Sequence, residues 1–179
     1  MKKLGIVLFS TAILLTGCSA NNSSNKTGSS SQASSSQTAV NQKELDKATA
    51  DYKSFVQGQI DQLLTDTEKF RDTLKEGKLD EAKKQYPLIR MAYERSEPIA
   101  ESFGESDVKI DFRLVDYVDE NKTEEGWSGF HRIEKIMWEQ NTTKGTESYA
   151  DQLVNDIKEL KAKIATVEVT PDMMLTGAV

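Results

Sequence analysis

The sequence predicts an all-α fold, an antiparallel helical bundle carried behind a disordered tether. Three observations predict it. Apolar residues beyond position 43 recur at three- and four-residue spacing, the strict alternation of a strand is largely absent, and the connections between periodic runs are short and marked by glycine.

Each element follows in order. Leu45, Tyr52, Phe55, Val56, Ile60, Leu63, Thr67, Phe70 and Leu74 share one helical face, with one glycine and no proline between Lys43 and Glu76. That is one long amphipathic helix. Gly77 ends it within Lys75-Glu76-Gly77-Lys78, whose lysines sit near the negative end of the helix dipole. Leu79, Ala82, Tyr86, Ile89, Tyr93 and Ile99 predict a second helix from Leu79 to Ser102, kinked or broken by Pro87 and Pro98 and closed by Gly104. Residues 105–125 are polar and read as irregular. Gly126 to Gln140 reads as a third helical segment opened by glycines, and Leu153, Val154, Ile157, Leu160, Ile164 and Val167 mark a fourth that stops before Pro171. The tail from Val169 to Val179, with Met173, Met174 and Leu175, is apolar enough to require a partner surface.

The N-terminus reads as targeting rather than structure. Met1-Lys2-Lys3 precedes an apolar run from Leu4 to Leu15, long enough for a signal peptide and too short to span a bilayer. The run closes on Leu15-Thr16-Gly17-Cys18, which resembles a lipobox, so residues 1–17 are expected to be removed and Cys18 lipidated. Residues 18–42 are mostly Ser, Asn, Gln, Thr, Ala and Gly, too polar to bury a core, and read as a flexible linker from that anchor to a single domain at 43–179. The expected location is the outer face of a cell membrane, held by lipid, in a Gram-positive bacterium. Cys18 is the only cysteine, so no disulfide forms within one molecule and the domain must rest on packing, or on packing plus a metal.

The chain is acidic, with 29 Asp and Glu against 23 Lys and Arg and a net charge of −6. That balance argues against nucleic acid and anionic lipid as ligands, which reward basic clusters, and is compatible with a cation. The only histidine, His131, stands three residues before Glu134, a spacing that puts both side chains on one helical face within reach of one ion. Glu94, Glu97 and Glu101 share a face upstream, and Asp111 and Asp116 lie in the stretch between. Taken alone the same residues also fit a capping histidine and a solvated acidic face paired with Arg90, Arg95 and Arg132. One histidine cannot build a His-Glu-x-x-His zinc peptidase, and Gly126-Trp127-Ser128-Gly129-Phe130 lacks the closing glycine of a nucleophile elbow.

Gly129-Phe130-His131-Arg132-Ile133-Glu134 resembles the Gly-x-His-x-x-Glu signature of imelysin-like proteins, with Trp127 before it and Trp138 after it. The run from Tyr86 to Gly104, followed by Lys109-Ile110-Asp111, resembles the iron-uptake lipoprotein branch of that family, the EfeO or EfeM type. The resemblance implies a metal site built from Glu94, Glu97, Asp111, His131 and Glu134. It further implies Fe²⁺ or Fe³⁺ as cargo, with Zn²⁺ or Mn²⁺ also accepted by mostly oxygen donors and one imidazole. Partners would be an iron permease and a haem-peroxidase-like component. A ligating His131 must be neutral, so binding is expected to weaken as the medium is acidified. Family members continue into a second, similar helical half, so this domain is expected to be the first half of a double bundle and C-terminally incomplete. Two other functions compete: an imelysin-type metallopeptidase, and a metal-free helical interaction module serving as adhesin or scaffold.

Overall fold

The computed structural model describes the backbone of residues 31–177 and the side chains of residues 41–177. Among the described residues all regular structure is helical: α1 (Ser31–Lys75), α2 (Leu79–Glu94), α3 (Glu97–Ala100), a 3₁₀ turn (Glu101–Phe103), α4 (Gly104–Ile110), α5 (Leu114–Asn121), α6 (Phe130–Glu139), α7 (Glu147–Thr166) and α8 (Pro171–Thr176). None of these helices is long and apolar enough to cross a membrane.

The frame is α1 with α2 and α7 packed along it. Both run antiparallel to α1, and side-chain ties mark the register. Gln85 of α2 donates to Thr73, while the Tyr52 hydroxyl donates to the Arg95 carbonyl. On the other flank Lys75 pairs with Asp151, Lys158 with Glu68 and Lys161 with Asp61, and Lys53 donates to the Val167 carbonyl. Such exposed pairs contribute little each. The apolar faces do more: Val56, Ile60, Leu63, Phe70 and Leu74 of α1 join Tyr86, Ile89 and Tyr93 of α2 and Leu153, Ile157, Leu160 and Ile164 of α7 in one buried cluster. Each such side chain contributes about 1.5–3 kcal/mol on burial.

The long periodic helices match their sequence signals, while several boundaries differ. α1 begins at Ser31, within the stretch read as linker, and its residues 41–48 are exposed. Nothing in that segment breaks a helix that the packed turns beyond Thr49 propagate. The rest of the linker, Cys18 and residues 1–17 lie outside the described residues. The second helix ends at Glu94, not Ser102. Pro87 sits inside α2 without ending it, and Pro98 lies in the first turn of α3, where its missing N–H leaves no bond unmade. Gly104 opens α4 rather than closing a helix, and the stretch 105–125 holds most of α4 and all of α5. Those helices are too short for apolar periodicity to reveal. The apolar tail finds a partner in part: Thr170 caps α8 by accepting from the Met173 N–H, Val169 is buried, and Met173 and Met174 pack against the core beside α3, while Leu175 is exposed.

Candidate metal centre

The site forms where the ends of α2, α4 and α6 meet, and one glycine brings them together. Gly129, the residue before α6, has φ +85°, and a Cβ there would lie 2.3 Å from the Ile110 carbonyl oxygen. Only glycine lets the start of α6 press onto the end of α4. Trp127 and Ser128 tie the same junction, the indole Nε1 donating to the Phe112 carbonyl at 2.7 Å and the Ser128 hydroxyl to the Lys109 carbonyl at 3.2 Å. Asp111 and His131 become neighbours as a result, 20 positions apart in sequence.

His131 stands between two carboxylates. Its Nδ1 is 2.8 Å from Glu134 Oε2, one turn along α6, and its Nε2 is 3.6 Å from Asp111 Oδ1, too far for a hydrogen bond. Arg90 of α2 completes the group. Its guanidinium pairs with Glu94, four residues on, and with Asp111, and it lies over the Phe130 ring at 5.4 Å and the Tyr93 ring at 5.9 Å. The Asp111 side chain is 11% exposed and that of Arg90 15% exposed, whereas Glu94 is 47% exposed and opens to solvent.

Glu97 joins through Glu94. Burial pushes its carboxyl up to about 7, and the charges of Glu94, Glu101 and Asp107 push in the same direction. The Tyr93 hydroxyl donates to Asp107 at 2.6 Å, and burial with that carboxylate raises the phenol above its ordinary range. Tyr86, buried and making no hydrogen bond through its hydroxyl, is raised by burial and then by the charge of Glu134. Beside the group an open groove of about 490 Å³ is lined by His131 and Glu134 with Trp127, Trp138, Arg113 and Lys135. Solvent therefore reaches the imidazole.

Asp111, His131 and Glu134 thus come together, Glu94 is joined to them through Arg90, and Glu97 is joined to Glu94. Glu101 follows α3, and Asp116 is exposed on α5. Among the described residues no three His, Cys, Asp or Glu side chains converge closely enough to hold an ion as they stand. The reason is visible: the two imidazole nitrogens face different carboxylates, and a guanidinium lies between Asp111 and Glu94. Glu134 holds Nδ1 in the way outer carboxylates orient metal-bound imidazoles, leaving Nε2 toward Asp111. The donor set suits a hard or borderline cation, and the place of Arg90 marks where positive charge is stabilised.

The imelysin model of the peptidase M75 class matches residues 48–178, which include every one of these side chains. The chain belongs to the imelysin family. It is 44% identical over 180 aligned positions to an Efem/EfeO family lipoprotein of Staphylococcus haemolyticus, an alignment covering 100% of this chain and 62% of that relative. It is 45% identical over 137 residues to an Efem/EfeO family lipoprotein of Staphylococcus aureus, covering 76% of this chain and 48% of that relative. This imelysin chain therefore spans roughly half to three fifths of the length of the curated relatives it matches. Within it, Gly129 of the Gly-x-His-x-x-Glu run acts by placing Asp111 beside His131. Arg90, Tyr86 and the Trp127 indole were not readable as site residues, because only the tertiary arrangement brings them to the histidine.

Proposed function

We propose that this imelysin-family chain is a lipid-anchored carrier that captures iron at the outer face of the cell membrane and delivers it to a membrane permease, with a haem-peroxidase-like component as a further partner. The observation that carries this reading is the approach of Asp111 to His131 Nε2, on an imidazole that lines a solvent-open groove with Glu134, with Glu94 and Glu97 at the adjoining helix ends. Iron is cargo here. Asp111 and His131 supply its first donors, Glu94 and Glu97 add carboxylate oxygens, and Glu134 orients the imidazole and reaches the ion only by leaving Nδ1. Zn²⁺ and Mn²⁺ would be accepted by the same donors. The names of the staphylococcal relatives, lipoproteins of the Efem/EfeO family, support the anchor and the carrier role.

The reading makes the chain a carrier rather than a peptidase, since a single histidine cannot supply the two that a His-Glu-x-x-His zinc site needs. An anaerobic calorimetric titration of Fe²⁺ into the full chain tests it. Saturable binding that is lost in His131→Ala/Glu134→Ala supports the carrier; a folded chain that takes up no Fe²⁺, Fe³⁺, Mn²⁺ or Zn²⁺ supports a metal-free interaction module instead. Casein hydrolysis abolished by a chelator would restore the peptidase.

A further inference from the structure

We propose that Arg90 is an internal counter-cation of the metal site: its guanidinium bridges Glu94 and Asp111 when no ion is bound and must release Asp111 for an ion to enter. It thereby keeps affinity low enough for cargo to be passed on. The inference rests on the carrier reading and adds to it a device for release.

Three features carry it. The first is shared use of one atom, since Arg90 pairs with Asp111 Oδ1, the oxygen that also faces His131 Nε2. An ion held by that oxygen and that nitrogen therefore competes with the guanidinium for the same lone pairs. The second is the supply of negative charge. The Asp111 side chain is 11% exposed, and a carboxylate so enclosed needs a compensating cation. Arg90 provides it from α2, its guanidinium lying near the Phe130 and Tyr93 rings, which favour a cation over their faces. The third is an exit. The other partner of Arg90, Glu94, is half exposed at the last turn of α2, so the guanidinium can stay paired with Glu94 and swing outward while Asp111 turns to the ion. The neighbouring carboxylates are Glu134 across the imidazole, Glu97 and Glu101 beside Glu94, and Asp107 at Tyr93. Arg113 and Lys135 line the groove on the Glu134 side without an ion pair to these carboxylates, so Arg90 is the one cation paired into this group among the described residues.

A plain packing role and a competing role differ in the sign of one result. Mn²⁺, a redox-stable probe, is titrated by calorimetry into the full chain as wild type, Arg90→Gln and Arg90→Lys, and each is melted with and without Mn²⁺. The competing role predicts that Arg90→Gln binds Mn²⁺ at least about tenfold more tightly, in line with a close charge pair, while melting at a lower temperature in the absence of metal. Arg90→Lys gains less, because an ammonium keeps the charge but cannot bridge two carboxylates as a fork. Equal or weaker binding in both variants overturns the inference and makes Arg90 an orienting residue. Should Arg90→Gln fail to fold, the wild type decides. Saturation with diamagnetic Zn²⁺ must shift the side-chain ¹⁵N resonances of the Arg90 guanidinium as its Asp111 partner is lost, and unchanged resonances overturn the proposal. Wild type that binds while the variants show no gain defeats this inference alone. No binding by wild type or by either variant defeats the carrier reading and this inference with it.

Discussion

The frame of α1, α2 and α7 and the connecting region from Ser96 to Gln140 are built on opposite principles. In the frame, three helices of 45, 16 and 20 residues bury apolar stripes against each other with one internal proline. In the connecting region, four α-helices of 4 to 10 residues are joined by a 3₁₀ turn and irregular links. There Lys122 and Gly129 adopt positive φ, and the chemistry-bearing side chains sit at helix ends. Long helices give stability because each turn adds burial. Short ones give position, because each end aims a side chain or a carbonyl at one point. The proposed metal chemistry thus draws Asp111, His131, Glu134 and Glu97 from the region that contributes less to the core, and Arg90 and Glu94 from the last turns of α2.

The sharpest test of that division is a cut into the frame. Phe70, fully buried and 6.2 Å from the Tyr86 ring, should cost about 3–5 kcal/mol when changed to Ala, measured by denaturant unfolding. A cost under about 1 kcal/mol would remove the frame's claim to carry stability. Gly129→Ala comes next. Its methyl meets the Ile110 carbonyl and its φ is strained, so a loss of roughly 1–3 kcal/mol is expected, together with loss of metal uptake as α4 and α6 part. Should Gly129→Ala destabilise as much as Phe70→Ala, the two regions form one unit and the comparison fails. Trp127→Phe removes the donor to the Phe112 carbonyl while keeping most of the ring. A cost of about 1 kcal/mol is expected, with weaker metal uptake and an intact frame by far-ultraviolet circular dichroism.

The smallest effect is electrostatic. Glu97 is raised to about 7 in the fold from 4.5, so between these values the folded chain binds more protons than the unfolded one. Stability contributed by neutral Glu97 is present at the acid end of that window and lost as pH rises through it. The metal-free chain should therefore melt a few degrees higher near pH 5 than near pH 7.5. Glu97→Gln should remove most of that difference by raising the pH 7.5 value. Screening of a partly exposed group limits the gain to the order of 2–4 °C. Glu94, Glu101 and Asp107 are the carboxylates that set the effect, and an unchanged pH profile in Glu97→Gln would remove Glu97 from the acidic group.

What the sequence disclosed follows the same division. The stripe from Val56 through Leu74 and that from Leu153 through Ile164 repeat for enough turns that periodicity alone defines α1 and α7 as helices. The His131–Glu134 pairing was equally legible, since both residues lie on one short helix and spacing fixes their distance. The break before α3 was signalled by Pro98, whereas α4 and α5 were not legible, because seven or eight residues carry too little periodicity to separate a helix from a loop. Asp111 was named from family resemblance. Its approach to His131 depends on Gly129 lying against Ile110, a long-range contact that no local pattern encodes. The same holds for Arg90: its i, i+4 partner Glu94 was readable, but its second partner arrives on a different helix.

The central claim is that one cation site exists where α2, α4 and α6 meet. Its most direct test is paramagnetic broadening of the amide spectrum of the ¹⁵N-labelled full chain by substoichiometric Mn²⁺. The account predicts that broadening centres on residues 94–97, 111 and 131–134 and spares the middle of α1 and α7. Broadening spread over the exposed carboxylates of α1, or none at all, would contradict it.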